Sequence, residues 1–279
     1  MYKLICIDMD GTLLNNKRKI SKASKEALKA AHNMGVQIVI TTGRIYCNAA
    51  YYSDLIGVTS PVIAANGAII REKDKEEPIY KRVVPQEVNL KILELCNKYK
   101  VYPNFQASNT IYGGNRLISL ILYYFVYKTK SKKHKVRIHG INSREKWNEI
   151  LTIYEQEIIK CEIYDRNKTK INEIKKALQD LGEIEVVSVG HNGIDITSKN
   201  VCKGTAVKAL ADYYKIKREE VIAIGDNDND IEMIEYAGLG VAMGNSKASI
   251  KDIADYVTAT NDEDGVAKVI NKFILNKGI

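Results

Sequence analysis

Four groups of polar residues in this 279-residue chain each follow a short apolar run. Asp8 and Asp10 come after Tyr2–Ile7, and Thr41-Thr42-Gly43-Arg44 comes after VQIVI at 36–40. Asn66-Gly67 follows PVIAA at 61–65, and Gly225-Asp226-Asn227-Asp228-Asn229-Asp230 follows VIAI at 221–224. Asp8, Asp10, Asp226 and Asp230 gathered in one crevice would repel one another, which disfavours full ionisation. A hard cation removes that conflict, and an all-oxygen set with few protein ligands suits Mg²⁺. Thr42 offers a hydroxyl, and Gly43 lets a peptide N–H approach an anion closely. Lys203, at the start of an expected helix, adds positive charge beside a helix N-terminus. Carboxylates, a cation and amide, hydroxyl and ammonium donors together make the equipment of phosphoryl transfer.

Rival chemistries lack their residues. No GxxxxGK[ST] stretch is present, so there is no P-loop. Asp226–Asp230 begins like an EF-hand loop, but Ile231 stands where glycine is required and Ala237 where the bidentate glutamate belongs. The run from Gly238 through Gly240 to Gly244 has one residue too many for GxGxxG. The histidines His32, His134, His139 and His191 are isolated, which gives a histidine-based nucleophile relay no candidate. The five cysteines form no CxxC pair, so neither a zinc site nor a disulfide framework is expected.

The elements that must position these groups read as alternating strands and helices. Ser21 is placed to cap a helix that Gly35 ends. Helices are expected at 48–56 and 204–214, and further short strands at 239–242 and 256–258. Strands separated by helices of this length imply parallel pairing with right-handed crossovers. In such open sheets the ligand crevice lies at the carboxyl ends of the strands. The expected fold is therefore α/β, a doubly wound, Rossmann-like parallel-sheet core built from both ends of the chain. Between residues 81 and 191 the pattern changes. Helices at 85–99, 146–157 and 171–181 alternate there with strands near 101–106, 110–113, 161–164 and 186–189, as expected of an inserted α/β domain.

Charge divides along the same line. Residues 81–191 carry 20 Lys and Arg against 12 Asp and Glu, while the flanking parts hold 22 of each. The whole net charge of +8 thus falls in the insert, which favours an anionic partner. The densest piece, Lys128–Arg137, reads as a solvated lysine-rich face. Leu117–Tyr127 is the longest apolar run, too short for the roughly 20 residues of a membrane span. The apolar N-terminal stretch carries Asp8 and no signal-type cleavage site. A cytoplasmic protein with no membrane partner is expected.

The motifs themselves are recognisable. Asp8-Met-Asp10-Gly11-Thr12-Leu13-Leu14 is similar to the first motif of the haloacid dehalogenase superfamily of aspartyl-nucleophile phosphatases. Thr42-Gly43-Arg44 resembles its second motif, Lys203-Gly204 its third and Gly225-Asp226-x-x-Asn229-Asp230 its fourth. Asn66-Gly67-Ala68, AGLGVAMGNS at 237–246 and Asp264-Gly265-Val266-Ala267 resemble the Cof-type subfamily in particular. The resemblance covers about 1–80 and 192–275, and the insert matches in length and position.

This resemblance implies roles. Asp8 would be the nucleophile and Asp10 the acid and base. The Asp8 carboxylate, the Asp10 backbone carbonyl and Asp226 would hold Mg²⁺. Thr42, the Gly43 amide, Lys203 and Asn229 would hold phosphoryl oxygens, while Asp230 orients Lys203 or a metal-bound water. Residues 1–80 and 192–279 would form the catalytic core, and 81–191 a cap that selects the leaving group. The implied function is Mg²⁺-dependent hydrolysis of small phosphorylated metabolites. One alternative is a phosphomutase using the same nucleophile. Another is a nucleic-acid-binding protein using the basic insert, which shows no RNP, KH or helix-turn-helix pattern.

Overall fold

A computed structural model describes residues 1–115, 117, 131–190 and 192–276. Most of the apolar run at 117–127 lies outside these residues. So do Arg116, the tyrosines Tyr123, Tyr124 and Tyr127, the first part of the basic stretch, and His191.

The chain divides into two compact units. One comprises Met1–Thr42, Tyr52–Tyr80 and Cys202–Ile279, and the other Gly43–Tyr51 and Lys81–Val201. The first is built on β1 (Leu4–Ile7), β2 (Gln37–Thr41), β3 (Val62–Ala64), β4 (Ile69–Arg71) and β5 (Tyr80–Lys81), joined by later strands. β1 pairs in parallel with β2 on one side and with β12 (Val221–Gly225) on the other. β13 (Leu239–Ala242) and β14 (Tyr256–Val257) extend that side, giving the order β14-β13-β12-β1-β2-β3-β4-β5. All four residues of β1 are buried, which is why it reads LICI with no polar alternation.

Helix α1 (Lys22–Asn33) starts where the Ser21 hydroxyl accepts from the Ser24 N–H at 3.0 Å, and it ends before Gly35 at φ +89°. Its Ala27, Leu28 and Ala31 are buried. α2 (Tyr46–Ile56) follows β2 and crosses from one unit to the other.

In the second unit the order is β10 (Ile184–Val189), β11 (Gly193–Ser198), β9 (Lys160–Tyr164), β6 (Pro103–Gln106), β7 (Thr110–Gly113) and β8 (Arg137–Gly140). Pairing is antiparallel except between β7 and β8. Helices α3 (Gln86–Tyr99), α4 (Arg144–Ile153) and α5 (Lys168–Gln179) supply Ile92, Trp147, Leu151 and Ile174 to the same core as Phe105, Cys161, Ile163, Ile194 and Ile196. The Phe105 and Trp147 rings meet edge to face at 5.3 Å.

Alternation along β9 and β11 turns Lys160, Glu162 and Asp195 away from that core, yet all three are buried. The Lys160 ammonium donates to the Gly43 carbonyl at 2.6 Å and pairs with Glu162 at 2.6 Å and Asp195 at 2.9 Å. Burial alone would lower its pKa, but the two carboxylates outweigh burial and raise it.

The remaining helices belong to the first unit. They are α6 (Lys203–Tyr213), α7 (Ile231–Tyr236), α8 (Ala248–Ile253) and α9 (Gly265–Phe273). Ala206, Leu210 and Met233 from α6 and α7 pack with Leu4, Cys6, Val39 and Ala223 of the sheet. Among the described residues, no helix is long and apolar enough to cross a membrane.

Candidate active site

Asp8 is the first residue beyond β1, where the strand still buries it but its N–H already pairs with the Ile224 carbonyl of β12 at 2.9 Å. Its carboxylate Oδ1 accepts from the Lys203 Nζ at 2.5 Å. Lys203 opens α6 and is itself buried. Its second partner is Asp230 Oδ1 at 2.6 Å. The other Asp230 oxygen accepts the peptide N–H groups of Asp226 at 2.9 Å and Asn227 at 3.0 Å. Asp230 is therefore committed on both oxygens, clamping Lys203 on one side and the turn after β12 on the other.

Asp226, partly buried, accepts from the Thr12 hydroxyl at 2.7 Å. Gly11 lies so close to that carboxylate that a Cβ there would overlap it, and its φ of +87° is left-handed as well. Only glycine meets both conditions. Asp10 is exposed, and the chain closes a small bridge between it and Leu14. Thr42 is buried just past β2. Its N–H donates to the Ile63 carbonyl at 3.0 Å and its carbonyl accepts from the Asn66 N–H at 3.0 Å. Asn229 donates through Nδ2 to Asn66 Oδ1 at 3.0 Å. Gly43, the neighbour of Thr42 in sequence, is the first residue counted with the other unit.

Asp8, Asp226 and Asp230 each present an oxygen within 4.8 Å of the others. Among the described residues one ammonium, that of Lys203, is paired within this group of three carboxylates, which leaves an excess of negative charge. Burial pushes the Asp8 carboxyl well above the usual range. Lys203 pulls it back, and Asp230 and Asp226 raise it further. Burial likewise lifts Asp226 to about 6, against the Thr12 hydrogen bond. Lys203 is pulled down by burial but raised on balance by Asp230 and Asp8, and it stays charged. Carboxylates held this way favour a bound proton or a bound cation. With Asp230 occupied on both oxygens, Asp8 and Asp226 are the pair suited to a divalent ion. These donors are all oxygens, as a hard cation requires.

Other residues of the motifs have local duties. Asp228 is exposed and pairs with Lys247 at 2.7 Å. Arg44 is buried and donates to Asn48 at 3.0 Å. The Cys202 sulfur caps α6 by accepting from the Thr205 N–H at 3.3 Å. Two contributors carried no assigned role on sequence grounds. Thr12 was visible only as part of the DxDGT run, and Asn66 is joined to Asn229 by a contact that no spacing reveals.

Residues 5–270 match the family of haloacid dehalogenase-like hydrolases. The chain belongs to that family, and it is an enzyme of the phosphatase type with the family's Rossmann-like core and inserted cap. Among its relatives is phosphatase YwpJ of Bacillus subtilis, 31% identical over 286 residues that cover 98% of this chain and 100% of the relative. The same organism's 5-amino-6-(5-phospho-D-ribitylamino)uracil phosphatase YcsE is 32% identical over 275 residues, 98% of this chain and 96% of the relative. The solved structure of BT4131, a sugar phosphatase of subclass IIB, superposes with a TM-score of 0.79 at 29% identity. The match covers 97% of this chain and 98% of that one.

Proposed function

We propose that this enzyme is a Mg²⁺-dependent, cytoplasmic phosphohydrolase that removes phosphate from small phosphorylated metabolites, sugar phosphates or similar, through an aspartyl-phosphate. The observation that carries the reading is the buried Asp8 carboxylate, held at 2.5 Å by a lysine that Asp230 anchors in turn. A nucleophile fixed in this way needs no reorientation before attack.

In the first half-reaction an Asp8 oxygen bonds to phosphorus as the bond to the leaving oxygen breaks. Asp10, exposed two residues further along the chain, gives its proton to that oxygen. In the second, Asp10 takes a proton from the water that attacks phosphorus, the phosphorus–Asp8 bond breaks, and phosphate leaves with the carboxylate restored. Thr42, Lys203 and Asn229 hold phosphoryl oxygens, with the Gly43 N–H next to Thr42 in the chain. Mg²⁺, held by the Asp8 carboxylate, the Asp10 carbonyl and Asp226, supplies the charge that offsets repulsion between a carboxylate and a phosphate dianion.

We assign selection of the leaving group to the segment 81–191, whose excess of eight positive charges suits anionic metabolites. Names among the relatives point to two such classes, a phosphorylated ribitylaminouracil and sugar phosphates. The test is phosphate release from a panel of phosphorylated metabolites with Mg²⁺ or chelator, beside Asp8→Asn. Activity that needs the metal and vanishes in Asp8→Asn supports the reading. A folded parent silent on the whole panel overturns it.

A further inference from the structure

Three consecutive residues after β3 lie in the left-handed region: Ala65 at φ +51°, Asn66 at +55° and Gly67 at +101°. For a residue with a side chain this costs about 1–2 kcal/mol, less for asparagine than for alanine, and such strain persists only where the surroundings impose it. The surroundings are specific. The Asn66 N–H donates to the Thr42 carbonyl at 3.0 Å, and the Asn66 Oδ1 accepts from Asn229 Nδ2 at 3.0 Å. Gly67 lies against the carbonyl of Cys202, the residue before Lys203, where a Cβ would overlap it. The Ala68 N–H closes the turn onto the Ala65 carbonyl at 3.1 Å.

One strained turn thus touches Thr42, Asn229 and the residue that delivers Lys203, three elements that reach this place from distant parts of the chain. Asn66 itself is buried. It makes both contacts, to Thr42 through its N–H and to Asn229 through its carboxamide, while held in the left-handed conformation.

We infer that Asn66 is a positioning residue: its backbone N–H fixes Thr42, and its carboxamide fixes the Asn229 carboxamide, so that both donors are aimed at the phosphoryl oxygens before substrate arrives. This rests on the phosphoryl-binding roles given above to Thr42 and Asn229. Asn66 acts through these two residues and does not touch substrate.

Asn66→Gly isolates the carboxamide, because glycine adopts the left-handed conformation freely and retains the N–H to Thr42. The experiment is a double-mutant cycle on the full chain: parent, Asn66→Gly, Asn229→Ala and the double variant. It is read in kcat/KM for the best substrate of the panel and, independently of turnover, in Kd for inorganic phosphate by calorimetry. Losing one hydrogen bond that orients a donor is expected to lower kcat/KM about tenfold in Asn66→Gly. The double variant should fall within twofold of Asn229→Ala, because the bond is already broken there. A merely structural role would not give that coupling.

Losses that multiply, or an Asn66→Gly variant within twofold of the parent, would overturn the inference. So would an Asn66→Gly chain that does not fold, which would assign the side chain to the fold itself. A parent that binds phosphate but hydrolyses nothing refutes the phosphohydrolase reading alone, and the cycle in Kd still decides Asn66. A parent that neither binds nor hydrolyses overturns both.

Discussion

Replacing Lys160 with methionine tests how the second unit tolerates buried charge. Glu162 on β9 and Asp195 on β11 are direct partners across an antiparallel pair, and the Lys160 ammonium lies between their two carboxylates. Carboxylates about 5 Å apart at an effective dielectric of about 20 repel by roughly 3 kcal/mol. Breaking a buried ion pair from one side typically costs about 3–5 kcal/mol. Lys160→Met is therefore expected to lose about 3–5 kcal/mol in urea unfolding at pH 7.

The sign of its pH dependence follows from the same pair. Without Lys160, one of the two carboxyls holds its proton more tightly folded than unfolded. The folded state then binds more protons between the unfolded and folded pKa values. Stability is lost as pH rises through that window and recovered on acidification. The triple variant Lys160→Met, Glu162→Gln, Asp195→Asn should regain most of the loss at pH 7. A single variant within 1 kcal/mol of the parent, or one whose deficit is flat between pH 7 and pH 5, would refute the reasoning.

Three further outcomes are expected. In chelator at pH 7, Asp226→Asn should be more stable than the parent by about 3 kcal/mol, because the carboxyl it replaces is lifted from 3.8 to about 6. The folded parent holds that proton longer than the unfolded chain, so its stability falls as pH rises from about 4 to 6; the gain should therefore shrink towards pH 4 in urea titrations. Gly11→Ala should lose about 1–2 kcal/mol from its left-handed backbone, and kcat/KM should fall more than tenfold as the new methyl displaces the Asp226 carboxylate. A thiol reagent at pH 8 should modify Cys202 alone in the native protein and all five cysteines in denaturant. The other four are buried, and burial pushes the Cys6 thiol up to about 12.

What could be read from the chain beforehand depended on whether polarity and position agreed. VIAI is fully buried and VQIVI is buried but for the half-buried Gln37, with no competing pattern, so the polar groups that follow them could be assigned to strand ends. Asp8, Lys203, Asp226 and Asp230 do meet there, within one another's reach. β11 was missed although Ile194 and Ile196 alternate with Asp195 and Thr197. Alternation normally marks a strand with one face in water, whereas here both faces are buried. β8, with the sequence RIHG, offers a single aliphatic residue and no periodicity at all. The Lys160 cluster was illegible for a different reason. Charged residues are almost never fully buried unless paired, and the pairing joins Lys160 to Gly43 and Asp195, far from it in sequence. The turn at Asn66 was half legible. Asn-Gly announces a left-handed turn, but nothing in Ala65 announces that it must join it.

The placement of β1 has a consequence for how the chain matures. Leu4–Ile7 is synthesised long before Val221–Gly225, and β2 can pair with one side of it early. Its other side waits for Val221–Gly225. Until then an all-apolar strand keeps an open edge, which is an invitation to pair with another chain. Residues 81–201 are complete well before that partner appears and have a hydrophobic core of their own. The unit that holds Asp8 is thus begun before the other unit and closed after it. Nascent chains halted before residue 221 should be the ones that recruit chaperones or aggregate, and release past 225 should end the exposure.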